Sequence, residues 1–114
     1  MAMNHNYSEL EPARSDIDVL EGLTLVEFGT PWCGHCRAAQ PALTEVMKEH
    51  DEIRHLKIED GPGKPLGRSF RVKLWPTLIL LRQGKELARL VRPTSSTEIR
   101  RAIDQAGTPD RPVD

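Results

Sequence analysis

The chain has 114 residues, of which 38% are hydrophobic and 29% charged, and its formal net charge is −1. This balance fits one globular domain with a single hydrophobic core, and it excludes a disordered acidic chain and a strongly basic nucleic-acid-binding protein. No apolar run is long enough to cross a membrane and the polar N-terminus lacks a signal-peptide pattern, so we expect a cytoplasmic protein with no nucleic-acid or membrane partner.

Hydrophobic periodicity and turn residues predict short strands that alternate with helices along the chain. In chain order we expect a short strand over 7–10, a short helix over 12–20, a strand over 23–28, a helix from 33 to about 50, a strand over 53–59, a short helix over 65–70, strands over 77–81 and 86–91, and a last helix that begins at the capping pair Ser95 and Glu98 and ends at Gly107. The strand–helix–strand start gives a parallel pair, and the later hairpin adds antiparallel strands. The sequence therefore predicts an α/β fold whose mixed central β-sheet is flanked by helices.

The two cysteines of the chain, Cys33 and Cys36, lie where the predicted strand over 23–28 gives way to a helix. The N–H groups and the partial positive charge at a helix N-terminus favour a thiolate at Cys33. A thiolate is the species that attacks a disulfide, and the spacing lets Cys36 reach the first sulfur and resolve the mixed disulfide that forms. His35 would add a hydrogen-bond donor near Cys33 and make the disulfide more oxidising; otherwise it is an exposed helix residue with little effect. The motif predicts thiol–disulfide exchange.

A metal site and a structural disulfide are the competing interpretations of the cysteine pair. Tetrahedral zinc needs four ligands, so the cysteine pair would need two more from candidates such as the histidines His5, His35, His50 and His55. A disulfide that closes so short a loop would remove little chain entropy from the unfolded state. We therefore expect no metal and no organic cofactor.

Two residues outside the cysteine motif also suggest roles in the chemistry. Glu27 lies inside an apolar strand, where burial should raise its pKa. It could then take the proton from Cys36 during resolution, directly or through a water; the alternative is an exposed or paired strand residue. Pro76 follows Trp75 at the start of a hydrophobic strand, which is an awkward place for proline unless it serves a purpose such as a cis peptide. The alternative is a trans proline that ends a loop.

The segment Leu25–Arg37, with Pro-Trp-Cys-Gly-His-Cys at its centre, resembles the active-site segment of the thioredoxin superfamily. This centre is most similar to the catalytic domains of protein disulfide isomerase, whereas the rest of the chain looks more like a bacterial thioredoxin. Three separated features agree with the family: the cysteine pair, Glu27 and Trp75-Pro76-Thr77. The resemblance implies three parts of the chain: 1–19 as an N-terminal segment of the same domain, 20–106 as a thioredoxin-like domain, and 107–114 as a flexible tail.

The resemblance also implies a role for each residue of the catalytic site. Cys33 would be the exposed nucleophile and Cys36 the buried resolving thiol. Glu27 would be the buried carboxylate near Cys36, and Pro76 would be the cis-proline that faces the two sulfurs. The backbone at Trp75 would pair with an extended substrate segment, as an added strand does.

The groove around this site departs from the usual thioredoxin pattern. The substrate-binding residues that the resemblance implies are Trp32, Gly34, His35, Trp75 and Arg92. Gly34-His35 stands in place of Gly-Pro, Trp75 in place of Ile, Val or Thr before the cis-proline, and Arg92 in place of a glycine near the groove. Trp75 and Arg92 suggest a narrower groove and a dedicated partner protein.

Two more departures concern family positions outside that groove. Gly29 stands where thioredoxins often have a second tryptophan. The lysine that the family often has near its buried carboxylate falls at His55 in this chain.

The residues and the resemblance together predict a protein-disulfide reductase, a thiol–disulfide oxidoreductase that moves electrons between a reductase or small thiol and a substrate protein. A disulfide oxidase or isomerase is the second hypothesis, which His35 supports and the lack of a signal-peptide pattern weakens. The third is a thioredoxin-fold binding or assembly module with dispensable redox activity, which the altered groove favours and the intact cysteine pair disfavours. We expect a monomer.

Overall fold

Strands and helices alternate along residues 3–107, the part of the chain that the computed structural model describes. In chain order they are α1 (Arg14–Asp18), β1 (Leu23–Gly29), α2 (Gly34–Met47), β2 (Arg54–Glu59), α3 (Pro65–Ser69), β3 (Thr77–Arg82), β4 (Lys85–Val91) and α4 (Ser96–Ala106). Apart from Gly107, the tail expected over 107–114 lies outside the described residues. No helix within 3–107 is long and apolar enough to cross a membrane.

The strands of this part of the chain form one mixed sheet in the order β2-β1-β3-β4. β1 and β2 are parallel because α2 carries the chain back along the sheet between them. β3 is antiparallel to β1, and the tight β3–β4 hairpin adds a second antiparallel pair. The α/β fold predicted from the sequence, a mixed sheet flanked by helices, is confirmed.

Helices cover both faces of the sheet because its central strands bury apolar side chains in both directions. Alternate residues of a strand point to opposite faces. Leu25 of β1 therefore joins the core under α2 and α4, whereas Val26 and Phe28 join the core beside α1 and α3. By the same alternation, Glu27 lies on the α2 side of the sheet, so a carboxylate enters that side of the fold.

Helix ends agree with the sequence most closely at α4. The Ser95 side chain accepts a hydrogen bond from the N–H of Glu98 at 3.2 Å, as the capping pattern predicts. The helix ends at Gly107, whose φ of 71° lies in the left-handed region. The helix predicted from 33 to about 50 is the shorter α2.

The N-terminal segment departs most from the sequence expectation. The strand predicted over 7–10 is wrong, because Ser8 alone forms an isolated parallel bridge, with Ile58 of β2. The Ser8 hydroxyl donates to the carbonyl of Leu10 at 2.7 Å, and this turn ends the pairing. The helix predicted over 12–20 is shorter in the structure, where it corresponds to α1. No side chain caps the N–H groups at its N-terminus.

Candidate active site

The two cysteines lie at the N-terminal end of α2, after the turn that follows β1. Cys33 is the N-cap residue of α2, and its sulfur accepts a hydrogen bond from the backbone N–H of Cys36 at 3.2 Å. Both are free thiols; Cys33 is 8% exposed and Cys36 is 1% exposed. The N–H groups at the helix N-terminus therefore face the sulfur of the less buried cysteine. Within residues 3–107, no group of three or more His, Cys, Asp and Glu side chains is arranged to hold a metal ion.

The surroundings of Cys36 hold it in the thiol form. Burial raises the pKa of Cys36 to about 11. The hydrogen bond with Cys33 and the charge of Cys33 contribute to this increase in the same direction. Hydrogen bonds from the backbone of Thr30 and from the Tyr7 hydroxyl lower this pKa by less. At neutral pH Cys36 therefore keeps its proton, which must leave before the sulfur can act as a nucleophile.

Glu27 is fully buried, and four side chains surround its carboxylate. Its Oε2 accepts hydrogen bonds from Gln40 Nε2 at 2.8 Å and from the Tyr7 hydroxyl at 3.3 Å. Its Oε1 lies 2.9 Å from Nε2 of His55. Lys57 Nζ lies 3.5 Å from Oε2 and donates to Oε1 of Gln40 at 2.7 Å. The carboxylate thus has polar partners on both oxygens.

The expectation of a raised pKa for Glu27 is wrong. Burial does raise the pKa, but the hydrogen bond from His55, the positive charge of Lys57 and the hydrogen bond from Gln40 lower it by more. The pKa of Glu27 therefore lies below its usual value. The local sequence shows only the burial of Glu27, because the compensating partners lie on β2 and α2. Glu27 is ionised at neutral pH and is a weak acceptor for a thiol proton.

A lysine does lie beside this carboxylate, contrary to the expectation that His55 replaces it. Lys57 is the Cα partner of Glu27 in the parallel β1–β2 pairing, and His55 lies two residues earlier on the same face of β2. The backbone N–H of Asn4 donates to Nδ1 of His55 at 2.9 Å, which leaves the ring proton on the Nε2 that faces Glu27. Both side chains therefore stabilise the ionised carboxylate.

Tyr7 also belongs to this site, although it lies outside the motifs that are visible in the sequence. A Cβ atom on Gly29 would lie 2.5 Å from Sγ of Cys36 and 2.8 Å from the Tyr7 hydroxyl oxygen, so both atoms border the space beside this glycine. Lys57 Nζ lies 4.5 Å from the centroid of the Tyr7 ring, within cation–π distance. In the sequence, Gly29 is the residue that could have indicated a role for Tyr7. A glycine in place of a tryptophan leaves room that another large side chain can fill.

The peptide between Trp75 and Pro76 is cis and lies at the same end of the sheet. Thr77, the first residue of β3, pairs with Phe28 near the end of β1. The buried Pro76 therefore lies beside the turn that leads from β1 to the cysteines.

The two tryptophans form an apolar surface next to the cysteine motif. The rings of Trp32 and Trp75 meet edge to face, with centroids 5.7 Å apart and an interplanar angle of 78°. Trp75 Nε1 donates to Oδ2 of Asp60 at 2.9 Å, which orients its ring, while Trp32 is 71% exposed. Gly34 and His35, in the first turn of α2, are exposed as well.

Arg92 makes two hydrogen bonds to the segment that precedes β3. Its backbone N–H donates to the carbonyl of Pro76 at 2.9 Å, and its Nε donates to the carbonyl of Trp75 at 2.8 Å. Its φ of 52° lies in the left-handed region that favours glycine. The Trp75 carbonyl, to which the family resemblance assigns substrate pairing, thus already accepts an internal hydrogen bond.

Comparison with known proteins agrees with this geometry. The family model described as Thioredoxin matches residues 8–105. The solved structure of reduced thioredoxin 2 from Pseudomonas aeruginosa PAO1 is 57% identical, has a TM-score of 0.82, and is matched over 92% of this chain and 98% of that chain. The thioredoxin of Listeria monocytogenes is 29% identical over 100 residues, which are 85% of this chain and 95% of that protein.

Plant relatives match over a shorter stretch. Thioredoxin H2 from Arabidopsis thaliana is 29% identical over 69 residues, which are 60% of this chain and 52% of that protein. The match thus spans about half of the length of this plant relative, whereas nearly all of the Pseudomonas and Listeria thioredoxins is matched. The superfamily resemblance seen in the sequence is confirmed by the family model and by the shared fold. The chain belongs to the thioredoxin family.

Proposed function

We propose that this protein reduces disulfide bonds in substrate proteins, with Cys33 as the nucleophile and Cys36 as the resolving thiol. One observation carries the proposal: the two sulfurs lie close in sequence but in different surroundings. Cys33 accepts a hydrogen bond at a helix N-terminus, whereas burial keeps Cys36 protonated. The arrangement supports a first attack by Cys33 and a later attack by Cys36.

The exchange takes place in two steps. The Cys33 thiolate attacks one sulfur of the substrate disulfide, a bond forms between these sulfurs, and the other substrate sulfur leaves as a thiolate. Cys36 then loses its proton and attacks Cys33, which forms the Cys33–Cys36 disulfide and releases the second substrate thiolate. Two electrons have passed to the substrate. We expect Pro76 to face the sulfurs in both steps.

The substrate groove that we propose includes the exposed residues beside the motif and the backbone at Trp75. Trp32, Gly34 and His35 offer an accessible rim for residues that flank a substrate disulfide. An extended segment pairs with the Trp75 carbonyl only when Arg92 releases it. This contact favours a restricted set of partner proteins.

We further propose that a thiol reductant or a reductase returns electrons to the cysteine pair in a reducing compartment, the cytoplasm. Proteins of the thioredoxin family act on disulfide-containing proteins and are themselves reduced by a reductase. A chain whose only cysteines form the reactive pair suits such a compartment. We expect the protein to act as a monomer.

Serine variants test the two cysteine roles. Cys36→Ser should still attack a disulfide-containing protein such as insulin but should leave the mixed disulfide unresolved, so a covalent adduct accumulates on a non-reducing gel. Cys33→Ser should form no adduct and reduce no disulfide. Wild-type disulfide reduction by Cys33→Ser would refute the assignment.

A redox titration against glutathione then separates a reductase from an oxidase or isomerase. The reference potentials are about −270 mV for thioredoxin and about −180 mV for protein disulfide isomerase. A midpoint near the lower value supports the reductase, and one near the higher value supports the alternative. The matched variant His35→Pro restores the usual Gly-Pro pair and should have the lower potential. If no Cys33–Cys36 disulfide forms at any potential, the reductase and the oxidase or isomerase hypotheses both fail. The hypothesis of a binding or assembly module then takes their place.

A further inference from the structure

The hydroxyl of Tyr7 lies between two acidic groups of the site, and the exchange described above assigns it no part. On one side it donates to Oε2 of Glu27 at 3.3 Å, the longest of the hydrogen bonds that this carboxylate accepts. On the other side, it borders the same space beside Gly29 as Sγ of Cys36. A long hydrogen bond from a rotatable hydroxyl is easily exchanged for another.

The phenol remains a hydrogen-bond donor throughout the working pH range. Burial, the charge of Glu27 and the charge of Cys36 raise the pKa of Tyr7 above its usual value. The hydroxyl therefore does not act as a base. As a donor it stabilises a nearby anion, and its proximity lowers the pKa of the Cys36 thiol.

A cleft beside the hydroxyl gives the Cys36 proton a way to leave. The cleft has a volume of about 280 Å³ and is lined by Tyr7, Thr30, Cys36 and Gln40 among other residues. It reaches both the phenol and the buried thiol.

We propose that Tyr7 is a positioning residue whose hydroxyl changes acceptor during resolution, from the carboxylate of Glu27 to the thiolate of Cys36. This inference rests on the proposed function, in which Cys36 is the resolving thiol. Glu27 can release the hydroxyl because it keeps its shorter contacts with Gln40 and His55.

The proton and the electron pairs balance in this step. Cys36 loses its proton to solvent in the cleft, and the Tyr7 hydroxyl then donates to the thiolate. That sulfur attacks Cys33 in the mixed disulfide, and the Cys33–Cys36 bond forms. The bond between Cys33 and the substrate breaks, and the substrate sulfur leaves with its electron pair.

Several titratable and charged groups face Tyr7 and Cys36. The pH dependence of resolution therefore reflects all of these groups together and not Cys36 alone. They are Glu27 from β1, His55 and Lys57 from β2, Cys33 at the start of α2, and His5 and Arg37 at the cleft. Lys57 lies over the face of the Tyr7 ring. The difference in the midpoint pH of resolution between matched variants therefore reports the effect of the Tyr7 hydroxyl better than the midpoint pH of one protein does.

The reagent 5,5′-dithiobis(2-nitrobenzoate) separates the two cysteine steps. Cys33 releases one coloured thiolate as it forms the mixed disulfide, and Cys36 releases the second as it resolves that disulfide. In Tyr7→Phe the first release should keep its rate. The second should slow about tenfold at pH 7, with its midpoint pH raised by about one unit, because the thiolate loses one hydrogen bond. Asn6→Ala, an exposed neighbour at the same cleft, should change neither release.

A second substitution keeps the ring and strengthens the donor. Tyr7 is the only tyrosine of the chain, so 3-fluorotyrosine supplied during expression replaces this residue alone. Its more acidic hydroxyl should lower the midpoint pH of the second release, opposite to the effect of phenylalanine. Unchanged second releases in both proteins, or equal slowing of both releases in Tyr7→Phe, would overturn the proposed change of acceptor. A wild-type protein that released one thiolate, or a Cys36→Ser variant that released two, would instead overturn the proposed function.

Discussion

The carboxylate of Glu27 has no contact with solvent, yet its neighbours keep it ionised. A buried charge is costly unless it is paired and hydrogen-bonded, and here Lys57 supplies the opposite charge while His55, Gln40 and Tyr7 approach the two oxygens. Glu27 therefore fixes the positions of its neighbours around Cys36, and it does so without needing to accept a proton.

We expect Glu27→Gln to lower the free energy of unfolding by about 3 kcal/mol at neutral pH, because Lys57 would stay buried without its charge partner. The lowered pKa gives the sign of the pH dependence. The stabilisation by ionised Glu27 is fully present above its unfolded-state pKa of about 4.5, and it is lost as the pH falls through the lower folded-state pKa. Denaturant unfolding followed by far-UV circular dichroism across this pH range measures both effects.

Glu49→Gln is the matched control for this measurement. Glu49 is an exposed carboxylate whose pKa is lowered by the hydrogen bond from Arg100, so its loss should change stability only slightly. A Glu27→Gln protein as stable as the wild type would contradict the ionised state of Glu27.

The β3–β4 hairpin connects the proposed substrate groove to the rest of the fold. Its last paired residues are Thr77 and Val91, and the N–H of Arg92 continues the pairing one step further by donating to Pro76. The left-handed backbone at Arg92 then turns the chain toward α4. One residue thus ends a strand and, through its side chain, occupies the Trp75 carbonyl.

Arg92→Gly should leave the Trp75 carbonyl without its internal hydrogen bond. The glycine should also adopt the left-handed backbone conformation without strain. We expect kcat/KM for a disulfide-containing protein to rise about fivefold, the equivalent of roughly one hydrogen bond. The rate with 5,5′-dithiobis(2-nitrobenzoate), which pairs with no strand, should not change. Steady-state kinetics with both substrates make the comparison.

Arg92→Ala separates the two effects of the glycine. It opens the same carbonyl but keeps a Cβ in the left-handed region, so it should gain the same activity while being about 1 kcal/mol less stable than Arg92→Gly. Equal activity of the wild type and both variants would show that substrates do not use the Trp75 carbonyl.

Across the whole molecule, the site is completed by a segment far from the cysteines in sequence. Asn4 donates to His55, Tyr7 donates to Glu27, and Ser8 joins the edge of β2. Ile17, a little further along, lies in the core on the other face of the sheet. These contacts support our proposal that residues 1–19 belong to the same domain as 20–106.

Removal of residues 1–8 should leave a folded but weaker domain. The lost hydrogen bonds predict a decrease of about 3 kcal/mol in the free energy of unfolding. Resolution by Cys36 should slow at least as much as in Tyr7→Phe, which is the matched variant because it keeps the backbone contacts. A shortened chain with the stability and the resolution rate of the full chain would show that the segment lies outside the domain.

Most of the fold could be predicted from the sequence because its long elements carry strong local patterns. β1, β3 and β4 show continuous or paired apolar runs, and α2 and α4 show helical spacing. The misplaced elements are the N-terminal ones, where a single bridge at Ser8 depends on the edge of β2 and not on local pattern.

In the site, as in the fold, the features with a local sequence pattern could be predicted and the others could not. The cysteine motif and the burial of Glu27 are visible in adjacent residues, whereas the ionised state of Glu27 is not. It depends on the hydrogen bond from His55 on β2 and on the register that sets Lys57 opposite Glu27. Neither relation has a local sequence signal.

The placement of the aromatic rings has an optical consequence. Trp32 and Trp75 are the only tryptophans of the chain, and Tyr7 is its only tyrosine. All three border the site, while the sheet core holds two phenylalanines that contribute little to near-UV absorption. Intrinsic fluorescence is therefore a signal from the active site, sensitive to the oxidation of the cysteines and to occupation of the groove. Unfolding of the core has to be followed through the backbone.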